Sequence, residues 1–274
     1  MTKLPIGVQL YSVRDDMEKD FEGTLKKVKE MGYDGVEFAG LFGRAPQDIK
    51  KLLDDLGLVA VCAHVPYAEM IADPEKTMSD YAAIGMKYIA IPYMTEEYRP
   101  NGPKFAEALE SMKMLGKAAK AHGMTLIYHN HDFEFVMVDG KHGLDVMYDT
   151  VPADLLETEL DTCWVNVAGE NPAAYVTKYS GRAPIVHLKD FVMPGKKPEH
   201  LYALIGIDDG AQKDDSEAFE FRPVGYGAQN IPEIIKAAEA AGTKWLVVEQ
   251  DDPSMGKTPM ECIEMSVKYL HDEK

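Results

Sequence analysis

The strongest constraint on this chain is a rhythm: short β-branched or aromatic runs alternate with longer amphipathic stretches along the whole sequence. The runs predict strands over Ile6–Ser12, Gly35–Phe38, Val59–Val65, Tyr88–Tyr93, Thr125–His131, Leu155–Asp161, Pro184–Lys189 and Trp245–Gln250. Between them, "DFEGTLKKVKEMG" puts Phe21, Leu25, Val28 and Met31 on one helical face and stops at Gly32. "PQDIKKLLDDLG" stops in the same way at Gly57, and "GPKFAEALESMKMLGKAAKAHG" stops at Gly123. Eight strands alternating with helices call for a parallel sheet. With 274 residues and no GxGxxG loop, a closed barrel is favoured over an open doubly wound sheet. The expectation is a single (β/α)8 TIM barrel over residues 1–274, with an extended loop, 192–229, after the seventh strand as a candidate lid.

Chemistry in such a barrel sits at the C-terminal strand ends, and here those ends are unusually polar. Strand five ends in His129-Asn130-His131 and strand six in "ETELD", with Glu159 and Asp161. Strand seven ends in His187, Lys189 and Asp190, and strand eight in Glu249 and Asp251. Side chains alternate faces along a strand. His129 with His131, Glu159 with Asp161, His187 with Lys189, and Glu249 with Asp251 can therefore all enter the mouth. Carboxylates and imidazoles on four adjacent strands resemble a cage for one divalent ion, suited to Mn2+, Co2+, Mg2+ or Zn2+.

Composition narrows the partners. Forty-six acidic against 29 basic residues give a formal charge of −17, which repels phosphate backbones and anionic lipid. No nucleic acid and no membrane partner is expected; a homo-oligomer is allowed. Cys62, Cys163 and Cys262 are widely spaced and form no CxxC pair, so neither a disulfide framework nor a thiolate zinc site is expected. The start "MTKLPIGVQLYS" carries no apolar targeting stretch, and a cytoplasmic protein is expected.

Nearly the whole chain resembles the sugar isomerase/epimerase-like TIM barrels, the xylose isomerase-like superfamily. "IGVQLYSVRDD" with "LKKVKEMGYDGVEF" is similar to that family's opening strand–helix–strand. "LDTCWVNVAGENPAAYVTKYSGRAPIVHLKDF" is similar to its sixth and seventh strands, and "VGYGAQNIPEII" with "WLVVEQDDP" to its last unit. With "YHNHDFEF", these pieces point to the inosose dehydratase and keto-sugar-acting branch. The resemblance implies a metal site with one ligand from each of strands five to eight, in the order Glu, Asp, His, Glu. Asp161, His187 and Glu249 match the last three. On strand five, His129 stands where the glutamate is expected, leaving His129, His131 or Glu134 to complete the set. Glu134 preserves three carboxylates and is the ligand chosen. On strand six, Trp164 replaces a histidine and offers a flat wall to sugar C–H faces.

The resemblance implies proton abstraction beside a carbonyl of a keto-sugar or polyol, through a metal-bound enediolate, giving epimerisation or isomerisation. An inosose-dehydratase-type lyase using the same site is the alternative, and a non-catalytic sugar-binding barrel the second. A DNA-repair endonuclease of the same fold is disfavoured by the negative charge. The expected acid–base residues are His131, His129 and Glu249. Lys189, Trp164, His64, Tyr11 and Glu37 are expected to meet substrate, and Glu159 to orient His129 or a ligand.

Overall fold

The computed structural model describes residues 2–195, 201 and 219–272. Its centre is a closed barrel of eight parallel strands. They are β1 (Ile6–Gln9), β2 (Gly35–Ala39), β3 (Val59–His64), β4 (Tyr88–Ile91), β5 (Thr125–His129), β6 (Glu157–Asp161), β7 (Ile185–Leu188) and β8 (Trp245–Val248). Barrel order follows chain order, and β8 closes on β1 with Leu246 opposite Ile6 and Val248 opposite Val8. The expected (β/α)8 architecture is the one observed.

The two faces of each strand carry different cores, as their period of two requires. Outward residues such as Val36, Ile89, Leu126, Leu160 and Leu246 pack with Leu25, Ile49, Met112 and Val267 of the surrounding helices. Inward, a smaller cluster of Val61, Cys62, Ala90, Ile127, Ile185 and Val247 fills the barrel floor, with Trp245 against it. Gly35 is needed there: a Cβ on it would stand 2.7 Å from Val61 and 3.0 Å from Trp245. Above this apolar floor the inward positions become polar, and the site begins.

Several strands are shorter than the sequence runs predict, because the chain leaves the barrel where polar side chains begin to bind backbone. After β1 the Gln9 side chain accepts the Tyr11 N–H at 3.0 Å and turns residues Leu10–Val13 into a 3-10 segment. β5 stops at His129 rather than His131.

The stem of the extended loop is an antiparallel pair, Asp190–Val192 with Glu220–Arg222. The candidate lid falls largely on 196–200 and 202–218, outside the described residues. Its base is pinned by one buried carboxylate. Asp190 accepts backbone N–H bonds from Phe191 and Gln229 on Oδ1 and from Gly225 and Gly227 on Oδ2, at 2.9 to 3.1 Å. Asp190→Ala is expected to lower the unfolding free energy by about 3 kcal/mol, since four donors lose a charged acceptor at once. Urea denaturation checks this; a loss below about 1 kcal/mol would show that the donors find other acceptors. Among the described residues no helix is long and apolar enough to cross a membrane.

Candidate functional site

The inward polar residues form two tiers. In the lower tier, Glu37 Oε1 accepts the Gln9 amide at 2.6 Å and lies 3.0 Å from both His64 Nε2 and His187 Nε2. Glu159 Oε2 lies 2.6 Å from the same His64 nitrogen. In the upper tier, one ligand atom each from His129, Asp161, His187 and Glu249 converge, all within 4.8 Å of one another. His187 belongs to both tiers. Its Nδ1 faces Glu249 Oε2 at 3.2 Å while its Nε2 is held by Glu37. A carboxylate behind a histidine in this way fixes the ring and raises its basicity as a ligand.

Local structure aims the upper tier. Asp161 caps the helix Thr162–Val167, and its Oδ1 accepts the N–H groups of Cys163 and Trp164 at 2.8 and 3.1 Å. That leaves Oδ2 facing the barrel axis. Asn130 bonds the Asp161 backbone at both ends, accepting its N–H at 3.0 Å and donating to its carbonyl at 3.3 Å, and so ties β5 to β6. Asp161 Oδ2 and both ring nitrogens of His129 are buried and make no hydrogen bond. Yet Oδ2 and Nε2 face each other at 3.3 Å, and Glu249 Oε2 stands 3.6 Å from the same nitrogen. Buried polar atoms without partners are costly. Two imidazole nitrogens and two carboxylate oxygens converging on one point fit a divalent cation.

The electrostatics of these groups are strongly perturbed. Burial pulls His129 and His187 down, but the surrounding carboxylates outweigh it. Asp161 and Glu249 hold His129 above its ordinary value, and Glu159 and Glu37 hold His187 well above. His64 is raised to about 10 against the same burial, by Glu37 and Glu159. Burial raises Glu249, yet Lys189, His129 and His187 bring it well below the carboxylate range. Lys189 is itself buried, with Nζ 2.5 Å from Asp251 Oδ2, 3.0 Å from Glu249 Oε2 and 3.8 Å from Asp161 Oδ2. Asp190 does not pair with it; that carboxylate faces the loop stem.

Three residues, Glu134, Trp164 and Glu37, sit elsewhere than their expected roles require. Glu134 does not join the converging ligands. Its Oε1 accepts the Tyr128 hydroxyl at 2.5 Å and its Oε2 the His131 N–H at 2.8 Å. Tyr128 precedes His129 on β5 and so points out of the barrel; Glu134 follows it to the outer side, where burial pushes its carboxyl up to about 7. His129 takes the strand-five place among the converging groups. Trp164 is fully buried and is not among the cavity walls. It stacks on Phe219 at 6.5 Å and meets Phe221 edge-on, beneath the loop stem, because that apolar stem covers the flat face a sugar would need. Its other side supports His131, with ring centres 5.2 Å apart.

Above the upper tier opens a cavity of about 810 Å3. His64, His129, His131, Lys189, Glu249 and Asp251 form its polar floor and side. Tyr11 also lines it, whereas Glu37 lies below, within the lower tier. The His131 ring is stacked on Phe133 at 5.3 Å with Tyr93 edge-on at 5.5 Å. Burial, then the charges of His129 and Lys189, keep it well below the usual histidine range. Residues not foreseen as part of the site complete the mouth: Tyr67 at the start of helix Tyr67–Ala72, Tyr93 just past β4 and Tyr98 in the 3-10 segment Glu96–Tyr98.

Comparison with known proteins agrees with this fold. The family model for the xylose isomerase-like TIM barrel matches residues 25–271. The inosose dehydratase of Clostridium beijerinckii is 24% identical over 289 aligned residues, covering 94% of this chain and 93% of that protein. A sugar phosphate isomerase/epimerase from Parabacteroides distasonis superposes with a TM-score of 0.78 at 20% identity, over 98% of this chain and 94% of that one. The IOLI protein, solved with a bound zinc atom, superposes with a TM-score of 0.72 at 14% identity, over 98% of this chain and 97% of that one.

Proposed function

The chain belongs to the xylose isomerase-like TIM barrel family, and from that premise we propose that it is a divalent-metal-dependent enzyme that moves a proton on the carbon beside a sugar carbonyl. The observation that carries this reading is the convergence of His129, Asp161, His187 and Glu249 at the floor of a cavity large enough for a sugar, with three of their atoms buried and lacking hydrogen bonds. Mixed nitrogen and oxygen donors suit Zn2+, Mn2+ or Co2+ better than Mg2+, which prefers oxygen alone. An ion bound there would stabilise negative charge building on the carbonyl oxygen as the C–H proton leaves.

The protein's own residues supply the rest. His131, neutral and facing the cavity, is the base that takes the proton and the acid that returns it. Lys189 holds Glu249 and Asp251 in place and presents its ammonium to substrate oxygens at the same wall. Gln9, Glu37, His64 and Glu159 form the rigid bed that orients His187. Lys189 is already shared among three carboxylates, and Glu69 and Glu97 line the mouth. That balance favours a neutral keto-sugar or polyol over a phosphorylated one.

A dehydratase reading rests on the same site and is favoured by one observation, the naming of full-length relatives as inosose dehydratases. Loss of a hydroxyl beside the carbanion, rather than reprotonation, would then complete the reaction. The test is incubation of inosose and a panel of keto-sugars in deuterium oxide with protein loaded with Mn2+, Co2+ or Zn2+. Deuterium on the carbon next to the carbonyl with the product still hydrated is the epimerase or isomerase outcome, and an unsaturated product is the dehydratase outcome. Chelator is expected to abolish either and to lower the melting temperature, by the several degrees that a loss of about 3 kcal/mol of binding linkage produces. Exchange that survives chelation, or a barrel that binds sugar without exchanging any proton, overturns the proposal.

A further inference from the structure

The cavity has a second wall whose chemistry differs from the first. Besides the polar side chains, the segments after β3 and β4 contribute Tyr67 and Tyr98 to its lining, and their rings meet edge to face at 5.2 Å. Both are half-buried, although one reaches the mouth from the start of helix Tyr67–Ala72 and the other from the 3-10 segment Glu96–Tyr98. Lys104 stands over the Tyr98 ring at 5.1 Å while pairing with Glu97 at 2.8 Å. Both tyrosines border the cavity, and their paired rings give it aromatic surface.

The size of the space gives that surface a use. A cavity of about 810 Å3 lies toward the top of the roughly 300–1,000 Å3 seen for drug-sized ligands. A single six-membered sugar seated on the polar floor leaves much of it unfilled. An aromatic wall binds the apolar face of a ring through dispersion and desolvation, with little demand on hydroxyl configuration. The carboxylates of Glu69 and Glu97 line the same mouth and accept hydroxyl groups while repelling phosphate. We infer that Tyr67 and Tyr98 form a second subsite that takes a ring attached to the reacting sugar, so that the substrate is a neutral glycoside rather than a free monosaccharide. The inference rests on the proposed function only for which ring reacts; the subsite itself is a matter of binding.

Calorimetry on the Zn2+-loaded protein tests it with matched pairs: glucose with phenyl β-glucoside, and galactose with phenyl β-galactoside. In at least one pair the two-ring member is expected to bind about tenfold more tightly, the magnitude one aromatic contact supplies. Tyr67→Ala and Tyr98→Ala are expected to bring that ratio close to one, while Tyr67→Phe, which keeps the ring, retains it. Melting temperatures of the variants separate loss of the wall from loss of the fold. Equal affinities within both pairs, no binding of either phenyl glycoside, or a preference that survives both alanine variants, each overturns the subsite. A preference that is present and sensitive to Tyr67, in a protein that exchanges no proton on any keto-sugar, leaves the subsite standing and removes the proposed reaction.

Discussion

Asp161→Asn is expected to strip the bound divalent ion and to slow proton exchange by about 10³, the equivalent of some 4 kcal/mol of lost charge stabilisation, without unfolding the barrel. The substitution separates two jobs of one side chain. Oδ1 caps the helix Thr162–Val167 through Cys163 and Trp164, and an asparagine carbonyl does this equally well. The asparagine amide then falls where Oδ2 now faces His129 Nε2, Lys189 and the converging ligands. An amide NH2 is a donor and carries no charge, so it cannot hold a cation. Asp161→Ala would add the loss of the cap, about 1 kcal/mol of stability, and so confound the reading. Metal content of the purified variant, its melting temperature and its deuterium incorporation together decide the matter. A full complement of metal with a normal rate would remove Asp161 from the site.

What the sequence shows of this protein follows where information is local. The alternation of short runs and helical stretches is a property of neighbouring residues, so the strands and their order can be read directly. Along a strand, period two decides facing, and it carries Asp161, His187 and Glu249 inward together with Ile127 and Ile185 below them. The reading weakens once the chain leaves a strand. β5 ends at His129, and the next turn is set by hydrogen bonds from Tyr128 and the His131 backbone to Glu134, which no periodicity encodes. A carboxylate five residues past a strand end faces in or out according to such bonds, and here it faces out. Trp164 poses the same problem at longer range. Its ring direction depends on Phe219 and Phe221, more than fifty residues away across the long loop. The aromatic wall is the extreme case, since Tyr67 and Tyr98 come from different strand-to-helix loops and acquire meaning only when both border one cavity.

His131→Gln is expected to leave the metal in place while lowering the exchange rate by about 10²–10⁴, the range that a positioned acid–base group contributes. His131 is outside the group of converging ligand atoms, so its loss should not empty the site. Its ring is fixed on three sides, by Phe133, Tyr93 and Trp164, and its remaining side meets the cavity. Glutamine retains size and hydrogen bonding but takes up no proton near neutral pH. The rival base is Glu249, whose Oε2 lies 3.0 Å from Lys189 and 3.2 Å from His187 Nδ1. Those cations hold its carboxylate well below the ordinary range despite burial. A carboxylate so stabilised is a poor proton acceptor; His131 is also weakened, by burial and the charges of His129 and Lys189, but it borders the cavity outside the converging ligand atoms, where a proton can be exchanged without disturbing the ion. If His131→Gln keeps both metal and rate, the proton moves through Glu249 and the assignment of His131 fails. If it keeps metal and loses rate, the histidine that stands beyond the end of β5 moves the proton, and the one at its end holds the ion.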